Sequence, residues 1–175
     1  MTRNIASGCH ELLNDQPFPA FPFSNPRWLG FIFNRDLYGV AGIPRDVFES
    51  VLASLKVSGE ARLIFVPAVT PLDGGPGFPV MELVDWQEYL AFLKGIDFCP
   101  EYYLVTADGS VLFWFDPDAV VVGGVPEVMR GAADHLGSVD KVMRRSADDF
   151  GVSVSDAASD VAAYIRNLGS SGQNL

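Results

Sequence analysis

The segment YYLVTADGSVLFWFDPDAVVVGG, Tyr102 to Gly124, constrains this chain more than any other. Asp108-Gly109 is a strong short-range hairpin signal when apolar runs flank it, and a type I′ turn with φ > 0 at both residues is expected. With those two residues as the loop, Val105 faces Leu112 and Tyr103 faces Trp114 on one side of the sheet. On the other side Leu104 faces Phe113 and Tyr102 faces Phe115. Side chains alternate along a strand, so the hairpin has a Tyr103 face (Tyr103, Val105, Leu112, Trp114) and a Tyr102 face (Tyr102, Leu104, Val111, Phe113, Phe115). Asp116-Pro117-Asp118 reads as the next turn, and AVVVGG as a third strand of the same meander.

Both faces are apolar, which an ordinary half-exposed hairpin would not be. Two readings stay open. Helices could cover both sides of the sheet. Alternatively, the Tyr103/Trp114 face is a partner site, since Tyr and Trp combine an apolar body with a polar tip and are favoured at interfaces.

The rest of the chain supplies covering elements. Ile5, Cys9, Leu12 and Leu13 recur at helical spacing near the start. QPFPAFPFSNPRW then forces an extended connector, because its prolines fix φ and remove donors; Phe18, Phe21 and Phe23 are expected to pack flat on the domain. WLGFIF predicts a strand, NRD a turn and LYGVAG a returning strand. IPRDVFESVLASL predicts a helix with Pro44 in its first turn and an apolar stripe of Val47, Phe48, Val51, Leu52 and Leu55. ARLIFVPAV reads as a buried strand and VMELV as a short edge strand. DWQEYLAFLKG is a helix opened by Asp85 with Glu88 three residues on, a capping-box spacing. VPEVMRGAADHLG starts a helix at Pro126. Ser138 caps another that turns Val139, Val142, Met143 and Phe150 inward, and Ser153 or Ser155 caps a last one. The fold class is therefore α+β: one mainly antiparallel sheet of about five to seven strands packed with several helices. Residues 1–169 form a single domain and residues 170–175 a disordered tail.

Charge narrows the function classes. The net charge is −10, and ten acidic residues against one basic residue (Lys94) lie between Asp73 and Glu127, so that segment carries −9 of it. Such a surface repels nucleic acid and anionic membranes and attracts basic partners. Simple solubility would explain the same charge.

Chemical motifs are absent. TPLDGGPGFP is glycine-rich, but no GK[ST] follows it and GxGxxG does not occur. Cys9 and Cys99 form no CxxC, and His10 and His135 are the only imidazoles. His135 belongs to a helix end, and Cys99 before Pro100 reads as an apolar filler instead of a nucleophile. No catalytic residue, metal site or cofactor is assigned. The start has no long apolar core and no run approaches the ~20 residues of a membrane helix, so a cytoplasmic, reduced protein is expected.

The run EYYLVTADGSVLFWFDPDAVVVGG, followed at once by a helix, resembles the C-terminal meander of bacterial polymorphic-toxin immunity proteins of the broad SUKH group. There an aromatic strand, a short turn, a second aromatic strand and an acidic turn precede a strand and helix. The resemblance implies a cytoplasmic protein that binds and neutralises a cognate, basic toxin domain. On that reading the partner-contact candidates are Glu101, Tyr103, Asp108, Trp114, Asp116 and Asp118. The alternatives are a small-ligand-binding or regulatory domain with an aromatic pocket on the sheet, and an enzyme using paired carboxylates.

Overall fold

The computed structural model describes residues 9, 11–59, 62–68, 82–96 and 101–170. The predicted first helix, the glycine-rich loop, His10, Cys99 and the tail past Ser170 fall wholly or largely outside them.

The described residues form an α+β fold around one six-stranded, wholly antiparallel sheet. Its strands are β1 (Leu29–Asn34), β2 (Leu63–Pro67), β3 (Glu82–Leu83), β4 (Tyr102–Val105), β5 (Val111–Phe115) and β6 (Ala119–Gly124). They lie in the order β1-β6-β5-β4-β2-β3. Five α-helices accompany them: α1 (Arg45–Val57), α2 (Trp86–Gly95), α3 (Pro126–His135), α4 (Val139–Asp149) and α5 (Asp160–Ser170).

The central hairpin has the expected register, with Tyr102 opposite Phe115, Tyr103 opposite Trp114 and Val105 opposite Leu112. Its turn is of another kind. Among the described residues none other than glycine has positive φ, so Asp108 is not left-handed and the type I′ geometry is excluded; in this turn only Gly109 is (φ 71°). The loop instead spans four residues between Thr106 and Val111, whose N–H···O=C bond closes it at 3.1 Å. Asp108 accepts the Ser110 N–H at 2.9 Å, and the Thr106 hydroxyl accepts the Val111 N–H at 3.1 Å. Two-residue and four-residue loops both contain an even number, so the register survives the change of turn.

Each face of the sheet carries its own core. On the Tyr102 face, α1, α2 and α3 bury Phe48, Leu55, Tyr89 and Met129 against Phe31, Phe65, Leu104 and Phe113. Tyr89 is the hub: its ring stacks on Phe48 (4.9 Å, 13°), and its hydroxyl donates to the Ala41 carbonyl at 2.6 Å. Having spent its one proton there, it accepts from Tyr102 at 2.9 Å.

On the Tyr103 face the cover comes from α5 and the proline-rich connector: Tyr164, Ile165 and Leu168 with Phe23, Trp28 and Cys9. Phe23 fits a slot made by glycines. Gly30 and Gly123 are directly paired across β1 and β6, and a Cβ on Gly123 would lie 2.2 Å from the Phe23 ring. The connector is fixed to α5 by the Asn167 side-chain amide, which donates to the Pro19 carbonyl at 3.1 Å, and by Phe18 on Tyr164. Helix α4 belongs to both cores. It lies against β1, giving Val142 to one core and Ala147 to the other.

Two expected elements differ. LYGVAG is not a returning strand: Arg35–Ala41 forms 3-10 turns with a kink at Tyr38–Gly39. The Asn34 side chain caps the Asp36 N–H at 3.1 Å, and Gly39 and Gly42 are left-handed (φ 56° and 63°), which no strand accommodates. The last helix is capped by neither Ser153 nor Ser155, whose hydroxyls bond to one another at 2.9 Å. Ser159 caps it, accepting the Ala162 N–H at 3.2 Å. No described helix is long and apolar enough to cross a membrane.

Candidate functional site

The acidic segment divides once its residues are placed. Glu82 pairs with Arg62 at 2.7 Å. Asp85 caps α2 as expected by accepting the Glu88 N–H at 2.8 Å, whereas Glu88 accepts the N–H of Val84 at 2.9 Å and not that of Asp85 as a capping box would. Glu127 stands in the first turn of α3, where the helix dipole favours a negative charge. Asp108 organises the hairpin turn; burial raises its carboxyl, but the Ser110 backbone and the Thr106 and Ser110 hydroxyls outweigh it and hold the carboxyl below its usual value. These acids have structural employment. Asp73 and Asp97 lie outside the described residues. Glu101, Asp116 and Asp118 gather at one end of the sheet.

Strand alternation explains how. Glu101 precedes Tyr103 by two residues and Asp116 follows Trp114 by two, so both acids share the Tyr103 face. The ladder holds past the strand ends: the Asp116 N–H donates to Ala119 at 2.9 Å, and the Ala68 N–H donates to Glu101 at 3.2 Å. Trp114, half-buried, donates its indole N–H to the Glu101 carboxylate at 3.2 Å. Asp116-Pro117-Asp118 makes a tight turn into β6, and the Asp116 carboxylate accepts the Asp118 N–H at 3.3 Å. Asp118 is exposed, and Glu101 and Asp116 are partly so.

Arg35, which the sequence reading passed over as part of a turn, supports this end from the other side. Its guanidinium lies over the rings of Tyr102 (5.3 Å) and Phe115 (5.8 Å) and donates to the Asp116 carbonyl at 2.9 Å. Its backbone N–H donates to the Asp118 carbonyl at 3.1 Å. The run NRD carried no sign of this, because the contact spans eighty residues of chain.

Of the six candidate contact residues, the structure brings together Glu101, Trp114, Asp116 and Asp118. Asp108 sits at the opposite end of the hairpin, roughly 20 Å away by strand rise. Tyr103 requires correction as a surface residue: it is only 3% exposed, and its ring belongs to the core under the connector and α5. Its phenol is pushed up to about 12, first by burial and then by Glu101, Cys9 and Asp116. Burial likewise raises the Tyr164 phenol, with Asp116 adding to it. Two phenols on this face thus sense the Asp116 carboxylate. The sheet is covered on both sides, so the aromatic face that the sequence left undecided is a second core.

A cleft of about 670 Å³ lies elsewhere, between α4, α5 and the segment joining them. Met143, Val152 and Val154 line it with Asp148, Arg144 and Arg166. Arg166 is occupied there, donating to the Val154 and Asp156 carbonyls. Among the described residues no three His, Cys, Asp or Glu side chains gather as metal ligands do.

Comparison with known protein families, with curated proteins and with solved structures returns no match to this chain.

Proposed function

We propose that this chain is an acidic protein-binding domain of the toxin-immunity kind, which engages a basic toxin domain through the sheet end formed by Glu101, Trp114, Asp116 and Asp118. The supporting observation is the sorting of the acids. The acidic segment's other described acids cap helices, pair or shape the hairpin turn elsewhere, whereas Glu101, Asp116 and Asp118 gather at one end of the sheet beside the half-buried Trp114, where Glu101 holds the indole N–H and Asp116 shapes the turn. Charge of this sign speeds encounter with a basic surface, and an indole at the centre supplies a contact that excludes water. Tyr103, the cross-strand neighbour of Trp114, is buried and does not itself meet the partner. The filled Tyr103 face argues against a ligand pocket on the sheet.

The test is neutralisation. Co-expression with the toxin domain encoded by an adjoining gene should restore growth of the host cell, and Asp116→Lys with Asp118→Lys should abolish the rescue while the chain stays folded. Full rescue by the reversed variant would sink the acidic site.

A further inference from the structure

Five large apolar side chains stand exposed among the described residues: Phe18, Leu37, Val40, Val57 and Val84. Single exposed aliphatics are ordinary. Phe18 rests on Tyr164, Val57 is the last residue of α1, and Val84 precedes the cap of α2. Leu37 and Val40 differ. They are 59% and 67% exposed and share one seven-residue segment, Arg35–Ala41.

That segment is anchored along its length. Asn34 caps its start, and the Gly42 N–H donates to the Gly39 carbonyl at its end. Arg35 is fixed to the β5–β6 turn, and the Ala41 carbonyl accepts the buried Tyr89 hydroxyl. In the middle, Tyr38 donates to the Asp149 carboxylate at 2.5 Å and sets its ring against Phe33. The backbone is therefore ordered by contacts that involve neither Leu37 nor Val40, which are held out in water. A surface ordered in advance loses little conformational entropy when it docks.

Charge indicates what docks. Asp36 lies in the same segment and is exposed, and the Arg35 bonds bring Asp116 and Asp118 alongside. We infer that Leu37 and Val40 are apolar anchors that enter a pocket on a basic protein, with Asp36 and Asp118 facing lysines or arginines at its rim. This rests on the acidic-site reading above and extends that site from the Trp114 side of the turn onto the β1–α1 segment. A second copy of the chain is a poorer occupant. A two-fold dimer through this patch would set each Asp36 and Asp118 cluster against its own counterpart. An anionic membrane is repelled for the same reason.

The test is site-specific photocrosslinking of the full chain in its native cell, with a benzophenone side chain at position 37, at 40, or at 57 as an exposed control. The expected result is one basic protein captured from both 37 and 40 and not from 57. Capture should fall at least about tenfold, the equivalent of 1.4 kcal/mol, when Asp36→Lys and Asp118→Lys are added. Self-crosslinking, capture of an acidic protein, or capture indistinguishable from position 57 overturns the inference. Asp116→Lys separates the two readings. If it impairs neutralisation while 37 and 40 capture nothing specific, the anchors fall and the acidic site stands. If capture from 37 and 40 is unaffected by it, the anchors stand and the Trp114 end falls.

Discussion

The two faces of the sheet are equally apolar and are closed by different means. Three helices cover the Tyr102 face and interlock large rings: Phe48 on Tyr89, Phe65 on Tyr102, and Tyr102 on Phe115. The Tyr103 face is closed by α5, one side of α4 and an extended strap, and the strap's main anchor, Phe23, sits where glycines leave room. One core is made by filling volume with side chains, the other by removing them from the sheet. An apolar strand pattern thus shows that a face is covered without showing by what.

That contrast can be broken by substitution. Phe48→Ala removes a fully buried ring from the helical core and should cost about 3–5 kcal/mol in a urea unfolding series. Phe23→Ala also removes a fully buried ring but should cost less than that, since the strap can settle into the vacated space more readily than a helix can. The two losses should add, because the residues lie in separate cores. A strongly non-additive double variant would show that the two residues are energetically coupled through the sheet.

Gly123→Ala tests the glycine slot directly. The new methyl would collide with Phe23, and overpacking of this kind costs about 1–3 kcal/mol. Adding Phe23→Ala should recover part of the loss, giving a favourable coupling in the double-mutant cycle. No recovery would mean that the glycines matter to the strands and not to the strap.

Tyr89→Phe sharpens the other side. It leaves the Ala41 carbonyl without its buried donor and Tyr102 without its acceptor, for about 1–3 kcal/mol. Smallest at neutral pH is Tyr103→Phe, whose effect belongs to alkali. The folded-state phenol is raised to about 12 against an ordinary value of 10, so the unfolded chain gives up this proton first. The stabilisation from Tyr103 is complete below pH 10 and disappears as pH rises towards 12. Unfolding midpoints at pH 8 and 11 should therefore differ less in Tyr103→Phe than in the parent, and an equal difference would refute the assignment.

Much of this fold could be read from the residues. The hairpin register needed only the parity of its loop, the α2 cap only the Asp85–Glu88 spacing, and α1 only its apolar stripe. What could not be read depended on distant partners. Gly39 and Gly42 turn the chain where LYGVAG alternates like a strand, and Tyr38 is held by Asp149 from the far side of the sequence. Ser159 caps α5 because the helix begins at Asp160, past Ser153 and Ser155. At the candidate site, Glu101, Trp114, Asp116 and Asp118 follow from strand alternation. Tyr103 was misplaced because alternation assigns a face without saying what lies over it. Leu37 and Val40 were hidden by the same strand-like run.

Helix α4 has a further role that concerns the chain's fate and not its partners. β1 is an edge strand, and its sequence LGFIFN is six residues long, aromatic, uncharged and free of proline. Left bare, such an edge is a template for other strands and a seed for cross-β aggregation. Because α4 packs on β1 and joins both cores across it, the edge is sealed by a helix where many proteins use a charge or a proline. A nick in the exposed stretch between Gly151 and Ala158 would leave α4 in place but cut its tie to α5. A chain ending before Ser138 would lose the seal altogether and should precipitate as fibrils that bind thioflavin, whereas one ending just after α5 should stay dispersed.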